Sequence, residues 1–222
     1  MKKIIYHGSI NKIEKPVYGY GKVHNDYGLC FYCTEDIELA KEWSVDQNNN
    51  GYVNEYEIEM DGLEILDLSK YEPLYWLAIL LANRTFNPKS PLAIEAKQYL
   101  LENYLLDITQ YDIIVGYRAD DSYFAFANDF INGAISYRQL CQAIKLGDLG
   151  MQIAIKSQLA FSRIKYIRSC IVDKDQYYPL KNNRDLKARK TYFDSRNNKR
   201  TKGDIYITNI LDEWFKEDDS RL

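Results

Sequence analysis

Residues 52–60, YVNEYEIEM, alternate apolar and polar side chains, strictly so from Glu55 to Met60. That is the pattern of a strand with one buried face. Soon afterwards the period changes, and residues 73–83 (PLYWLAILLAN) and 91–106 carry strong helical apolar periodicity. A chain that switches period in blocks predicts an α+β fold, not a regular βαβ alternation. The remaining segments complete the order. Residues 2–7 (KKIIYH) read as a strand ending at Gly8, and 29–34 as a second strand. Thr34 is then the expected N-cap of a helix over 35–46, with Glu35 and Asp36 in its first turn. Strands are expected at 63–68, 111–117, 152–157 and 164–172, and helices at 123–132 and 137–145. Gly, Pro, Asn and Asp make 16–28 (PVYGYGKVHNDYG) a loop.

Length and charge bound the rest. The 222 residues suit one domain with an appended tail, and 46% hydrophobic content is enough to fold it. A net charge of −3 provides no global field toward nucleic acid. The opening MKKIIYHGS lacks a signal-peptide run, and no stretch approaches the ~20 apolar residues of a membrane span, so a cytoplasmic protein with no membrane partner is expected. Residues 181–202 differ in character, with nine Lys or Arg against two Asp. The expected division is a main domain over 1–174 and a basic extension over 175–222 that ends in an amphipathic helix near 204–214. Such an extension is either a solvated segment or a patch that meets nucleic acid or an acidic partner. Cys30 and Cys33 form a C-x-x-C inside a strand, where residues three apart face opposite ways. Buried thiols fit that placement better than a metal site.

No G-x-G-x-x-G, P-loop or G-x-S-x-G occurs, so the dinucleotide-fold, nucleoside-triphosphatase and α/β-hydrolase classes lose their main support. What carries chemistry is His7 at the end of the first strand, followed by Gly8 and Ser9. A His in this place is more often structural, but glycine permits close backbone approach by a ligand. The second strand adds Phe31 and Tyr32 before Thr34, and the next helix carries A-x-x-W (Ala40, Trp43).

Y-H-G-S followed by G-x-x-F-Y-x-T-x-x-x-x-A-x-x-W resembles the His-Tyr-Glu branch of the ADP-ribosyltransferase superfamily, and more closely an uncharacterised bacterial family of that fold. The segments GYVNEYEI, W-L-A-x-x-L-x-N-R and YDIIVGYRADD extend the resemblance across roughly residues 3 to 172. It implies split antiparallel β-sheets with helical insertions. It also implies NAD as substrate, a macromolecular acceptor (protein or nucleic acid), and a toxin or phage-defence role that could involve an antitoxin. His7 would orient the nicotinamide-side ribose, Gly8 would offer its backbone to the carboxamide, and Tyr32 would stack on the nicotinamide ring. Ser9, Phe31 and Thr34 would flank that end of the pocket. Transfer in the superfamily passes through an oxocarbenium-like state after nicotinamide leaves.

The family's third element is a Glu near the start of a late strand, and the matching position here is Gln152. A neutral amide can bond the ribose but brings no negative charge to a developing cation. Three readings follow. Gln152 suffices, or Asp120 or Asp121 in RADDSYF supplies the charge, or the protein binds NAD-like ligands without turning them over. If Gln152 occupies the Glu position, Gln152→Glu is expected to raise the rate. Rival classes are a catalytically silent nucleotide-binding module and a nucleic-acid-binding protein that uses its tail.

Overall fold

The computed structural model describes residues 1–119, 121–146, 150–197, 201–216, 219 and 221–222. Three strands form one antiparallel sheet in the order β1 (Lys2–Ser9), β3 (Gly51–Glu59), β7 (Ile164–Val172). A second sheet runs β2 (Phe31–Cys33), β6 (Met151–Ile155), β5 (Ile113–Tyr117), β4 (Ile65–Asp67). Its β2–β6 and β5–β6 pairs are antiparallel, whereas β4 and β5 are parallel. The expectation of purely antiparallel sheets therefore fails at this one pair. Helices α2 (Pro73–Asn83) and α3 (Pro91–Asn103) lie between β4 and β5 in the chain, and a crossover of that length permits parallel pairing. The class is α+β, as the blockwise change of period predicts.

The β4–β6 sheet sits between two cores. Alternate residues of β5 and β6 (Ile113, Ile153, Ile155) face the first sheet, where they meet Ile5, Tyr56 and Ile58. Their neighbours Ile114 and Ala154 face the helices and meet Trp76, Leu77 and Phe130. A strand buried on both faces needs the continuous apolar run IIVGY. Cys30, just before β2, and Cys33, at its end, fall into opposite cores.

Helix α1 (Ile37–Ser44) lies across β1 and β3. Its N-cap is Asp36, whose side chain accepts from the Glu38 and Leu39 N–H groups, and not Thr34. Thr34 instead pairs by its backbone with Tyr6, at 2.8 and 2.9 Å, the only bridge joining the two sheets among the described residues. A residue paired in that way cannot also serve as a cap one turn later.

The basic extension is α7 (Lys174–Arg196), a helix that runs from α1 to α4 (Asp121–Ile131) and α5 (Tyr137–Ala143). Tyr177 bonds Glu38, Arg184 makes a bidentate pair with the buried Glu42, and Tyr192 stacks on Phe126 and bonds Asp129. Tyr192, Ile207 and Ile210 of α8 (Ile207–Asp212), and Phe215 belong to the same core as α2–α5. The boundary at 174/175 thus marks a change of composition, with packing continuous across it. A short helix α6 (Gln158–Ser162) completes the set.

Candidate functional site

Beyond the Tyr6–Thr34 bridge, β1 and β2 diverge, and a side chain takes over from the ladder. His7 Nδ1 lies 2.7 Å from the Tyr32 carbonyl oxygen. A carbonyl only accepts, so Nδ1 carries the proton, and in the neutral ring Nε2 remains as an acceptor. Phe31 stacks on His7 from the core side with ring centroids 4.3 Å apart. The space that opens at this divergence is a cleft of about 360 Å³, within the range of small-molecule sites. His7, Gly8, Tyr32 and Gln152 all line it, although Gln152 stands 145 positions after His7 (152 − 7). Ser9, Phe31 and Thr34 do not. Ser9 accepts from the Asn11 N–H and Thr34 from the Asp36 N–H, so these side chains brace the turns around the site.

Tyr32 presents its ring while its hydroxyl holds the preceding loop. Its Oη donates to the Gly28 carbonyl at 2.7 Å and accepts from the Tyr27 N–H at 3.1 Å. Tyr27 reaches across to donate to the Tyr117 carbonyl at 2.6 Å. The loop it anchors delivers Asp26, a cleft residue that composition and periodicity did not single out. Asp26 is only 3% exposed, as is Gln152. Gln152 Nε2 donates to Asp26 Oδ2 at 2.8 Å, and the Ala119 N–H donates to the same oxygen at 2.9 Å. Arg84 lies 3.3 Å from Asp26 Oδ1 and also donates to the Ala119 carbonyl. Burial pushes the Asp26 carboxyl above its ordinary range, opposed by these hydrogen bonds and by the Arg84 and Arg118 charges.

Arg118 and Trp43 close another wall, with the guanidinium 4.2 Å over the indole ring. Trp43 Nε1 is buried with no hydrogen-bond partner among the described residues. Arg84, the C-cap of α2, also lines the cleft. Asp120 and the side chain of Asp121 lie outside the described residues. The missed residues Asn25 and Asp26 carry no periodic signal, because both sit in the 16–28 loop.

The His7 imidazole has a stability consequence. Burial pushes it below its ordinary value of 6.5, with the Tyr32 carbonyl opposing. The unfolded chain then binds more protons than the folded one between 6.5 and the lowered folded value. The contribution of neutral His7 is present above 6.5 and is lost as pH falls through that window. The urea midpoint should drop between about pH 7 and pH 5, and His7→Gln should flatten that drop. Equal slopes in both proteins would assign the effect to other groups.

The sequence places this cleft in a family. A family model described as a protein of unknown function, DUF3990, matches residues 3–166. The chain belongs to the DUF3990 family. No curated protein and no solved structure matches it. The DUF3990 match spans β1 through the start of β7 and so contains every cleft residue, while α7 and α8 fall outside it.

Proposed function

We propose that the cleft binds the nicotinamide end of NAD and that the chain transfers ADP-ribose to a macromolecular acceptor. One observation carries the reading. The three residues that the sequence resemblance sets in the His-Tyr-Glu positions, His7, Tyr32 and Gln152, converge on a single cleft from three strands. The lining suits such a ligand. The Tyr32 ring offers an aromatic face to a cationic ring. His7 Nε2 is an acceptor for a ribose hydroxyl, because the other ring nitrogen is held by the Tyr32 carbonyl. Arg118, backed by Trp43, carries the charge that a diphosphate attracts. The orphaned Trp43 N–H is a donor that a ligand oxygen would satisfy.

NAD brings a glycosidic bond to a cationic leaving group, and its loss places positive charge on the ribose. The protein's part is to hold the ring, orient the ribose and supply acceptors where that charge develops. The tail contributes less to acceptor choice than its composition suggests. Lys181 is bonded to the Val45 carbonyl, Arg184 to Glu42, Arg189 to Asp185 and Arg196 to Asp129. Four of the nine cations of residues 181–202 are thus held by partners within the protein, which reduces the charge that this segment offers to nucleic acid. The toxin or defence role, with an antitoxin, rests on the sequence resemblance alone.

Nicotinamide release from NAD, followed by chromatography with protein, RNA and DNA acceptors supplied, tests the reading. The wild type is expected to release nicotinamide. Tyr32→Ala and His7→Ala should each cut the rate by about 100-fold or more. Saturable NAD binding by calorimetry with no product over hours would establish the silent binding module instead.

A further inference from the structure

We infer that Asp26 is the negative pole of the site and acts through Gln152, so that two residues together perform what a single late-strand Glu performs elsewhere. This inference rests on the NAD reading above. Gln152 sits on β6 opposite Gly116 of β5. Its Nε2 donates to Asp26 Oδ2 at 2.8 Å and to the Tyr117 carbonyl at 3.3 Å. The opposite amide orientation would turn Oε1 onto a carboxylate and a carbonyl, so the two acceptors set the orientation. Oε1 is then the polar atom that Gln152 brings to a ribose hydroxyl. A carboxylate accepting from one end of an amide draws electron density toward its oxygen, and in a buried chain of hydrogen bonds this polarisation strengthens the next bond. Gln152 is therefore the contacting residue and Asp26 the positioning residue behind it.

The surroundings keep the carboxylate available for this work. Arg84 addresses Oδ1, while Oδ2 is shared by the Ala119 N–H and Gln152. The loop that holds Asp26 is tied by the Tyr32 hydroxyl at Gly28 and by Tyr27 at Tyr117, so Asp26 is placed by the same side chain that offers its ring to nicotinamide. In the reaction, the bond between the ribose carbon and the nicotinamide nitrogen breaks, and its electron pair leaves with neutral nicotinamide. The oxygen of water, or of the acceptor, bonds to that carbon and gives up one proton to solvent. Negative charge from Asp26, relayed by the Gln152 amide, opposes the positive charge that builds up at the ribose between these events.

The test compares wild type, Asp26→Asn, Gln152→Glu and the double variant Asp26→Asn/Gln152→Glu. The double variant moves the carboxylate onto the strand and keeps one charge in the pair. Nicotinamide release into water is measured with kcat and KM separated, and thermal melting is measured without NAD. Asp26→Asn is expected to lower kcat by about 10- to 100-fold and to change KM by less than about threefold. Gln152→Glu should melt well below wild type. The double variant should recover both melting temperature and most of kcat, which also settles the case in which Asp26→Asn folds poorly. Wild-type kcat in Asp26→Asn would overturn the inference alone. So would a double variant that melts like wild type but stays slow. Absence of nicotinamide release from wild type would overturn the NAD reading, and this inference with it.

Discussion

Replacing Gln152 with Glu is expected to cost about 3–5 kcal/mol of stability at neutral pH. The new carboxylate would stand where Nε2 now lies 2.8 Å from Asp26 Oδ2, at a site where both side chains are 3% exposed. Two like charges that close and that buried cannot both remain ionised, so one takes up a proton. The substitution also removes one of the donors to the Tyr117 carbonyl, which keeps those from Tyr27 and Trp76. Because protonation relieves the clash, the deficit should shrink as pH falls from about 7 toward 5, the reverse of the His7 effect. Urea unfolding at both pH values measures it. An unchanged midpoint at pH 7 would mean that Asp26 and Gln152 are not paired. The rate gain that the position of Gln152 suggests on its own is therefore not expected from the single substitution, because the cleft already holds its carboxylate on the facing loop.

Gly8→Ala is expected to be comparably damaging, with a loss of about 3 kcal/mol or more. A Cβ at this position would lie 2.1 Å from the Ala40 carbonyl oxygen and 2.8 Å from the Ser44 nitrogen. Both are backbone atoms of α1, which cannot swing aside as a flexible side chain can. Gly51 on β3 meets the same helix, at 2.0 Å from the Ser44 carbonyl oxygen. The glycines thus let α1 lie directly on β1 and β3, and in doing so they bring Trp43 to the cleft. Thermal melting of Gly8→Ala against Gly19→Ala, where an added Cβ would meet nothing within 4 Å but the positive φ of 76° strains any substitute, separates packing from backbone strain. Gly8→Ala should be the worse of the two. A melting temperature equal to wild type would show that α1 can lift off the strand without cost. Glycine at position 8 is therefore explained by helix packing before any ligand is considered, although the residue also lines the cleft.

Much of the scaffold could be read from local pattern. The alternation in 52–60 became β3, the apolar run 73–83 became α2 to the residue, and 164–172 became β7. His7 and Tyr32 could be paired because the sequence resemblance sets both in short motifs, Y-H-G-S and F-Y-x-T. Local pattern failed where a long-range partner decided the outcome. Thr34 looks like a cap until it is paired with Tyr6, and Asp36 caps α1 in its place. Residues 181–202 look like a solvated basic run until Glu42, Asp129 and the Val45 carbonyl are brought alongside.

By itself, then, the amino-acid sequence determined the α+β class, the element order and the presence of His7, Tyr32 and Gln152 in a recognisable series. Each of those properties is written in a few adjacent residues, as a period, a cap or a strand end. Only the tertiary structure placed Asp26 in the cleft. Asp26 sits in a polar loop among Asn25, Tyr27 and Gly28, and nothing within that loop distinguishes it from a solvated turn residue. Its role comes from the Ala119 N–H, 93 positions away, and the Gln152 amide, 126 positions away. Burial and hydrogen-bond partners across such separations are set by the packing of the two sheets, and no local period encodes them.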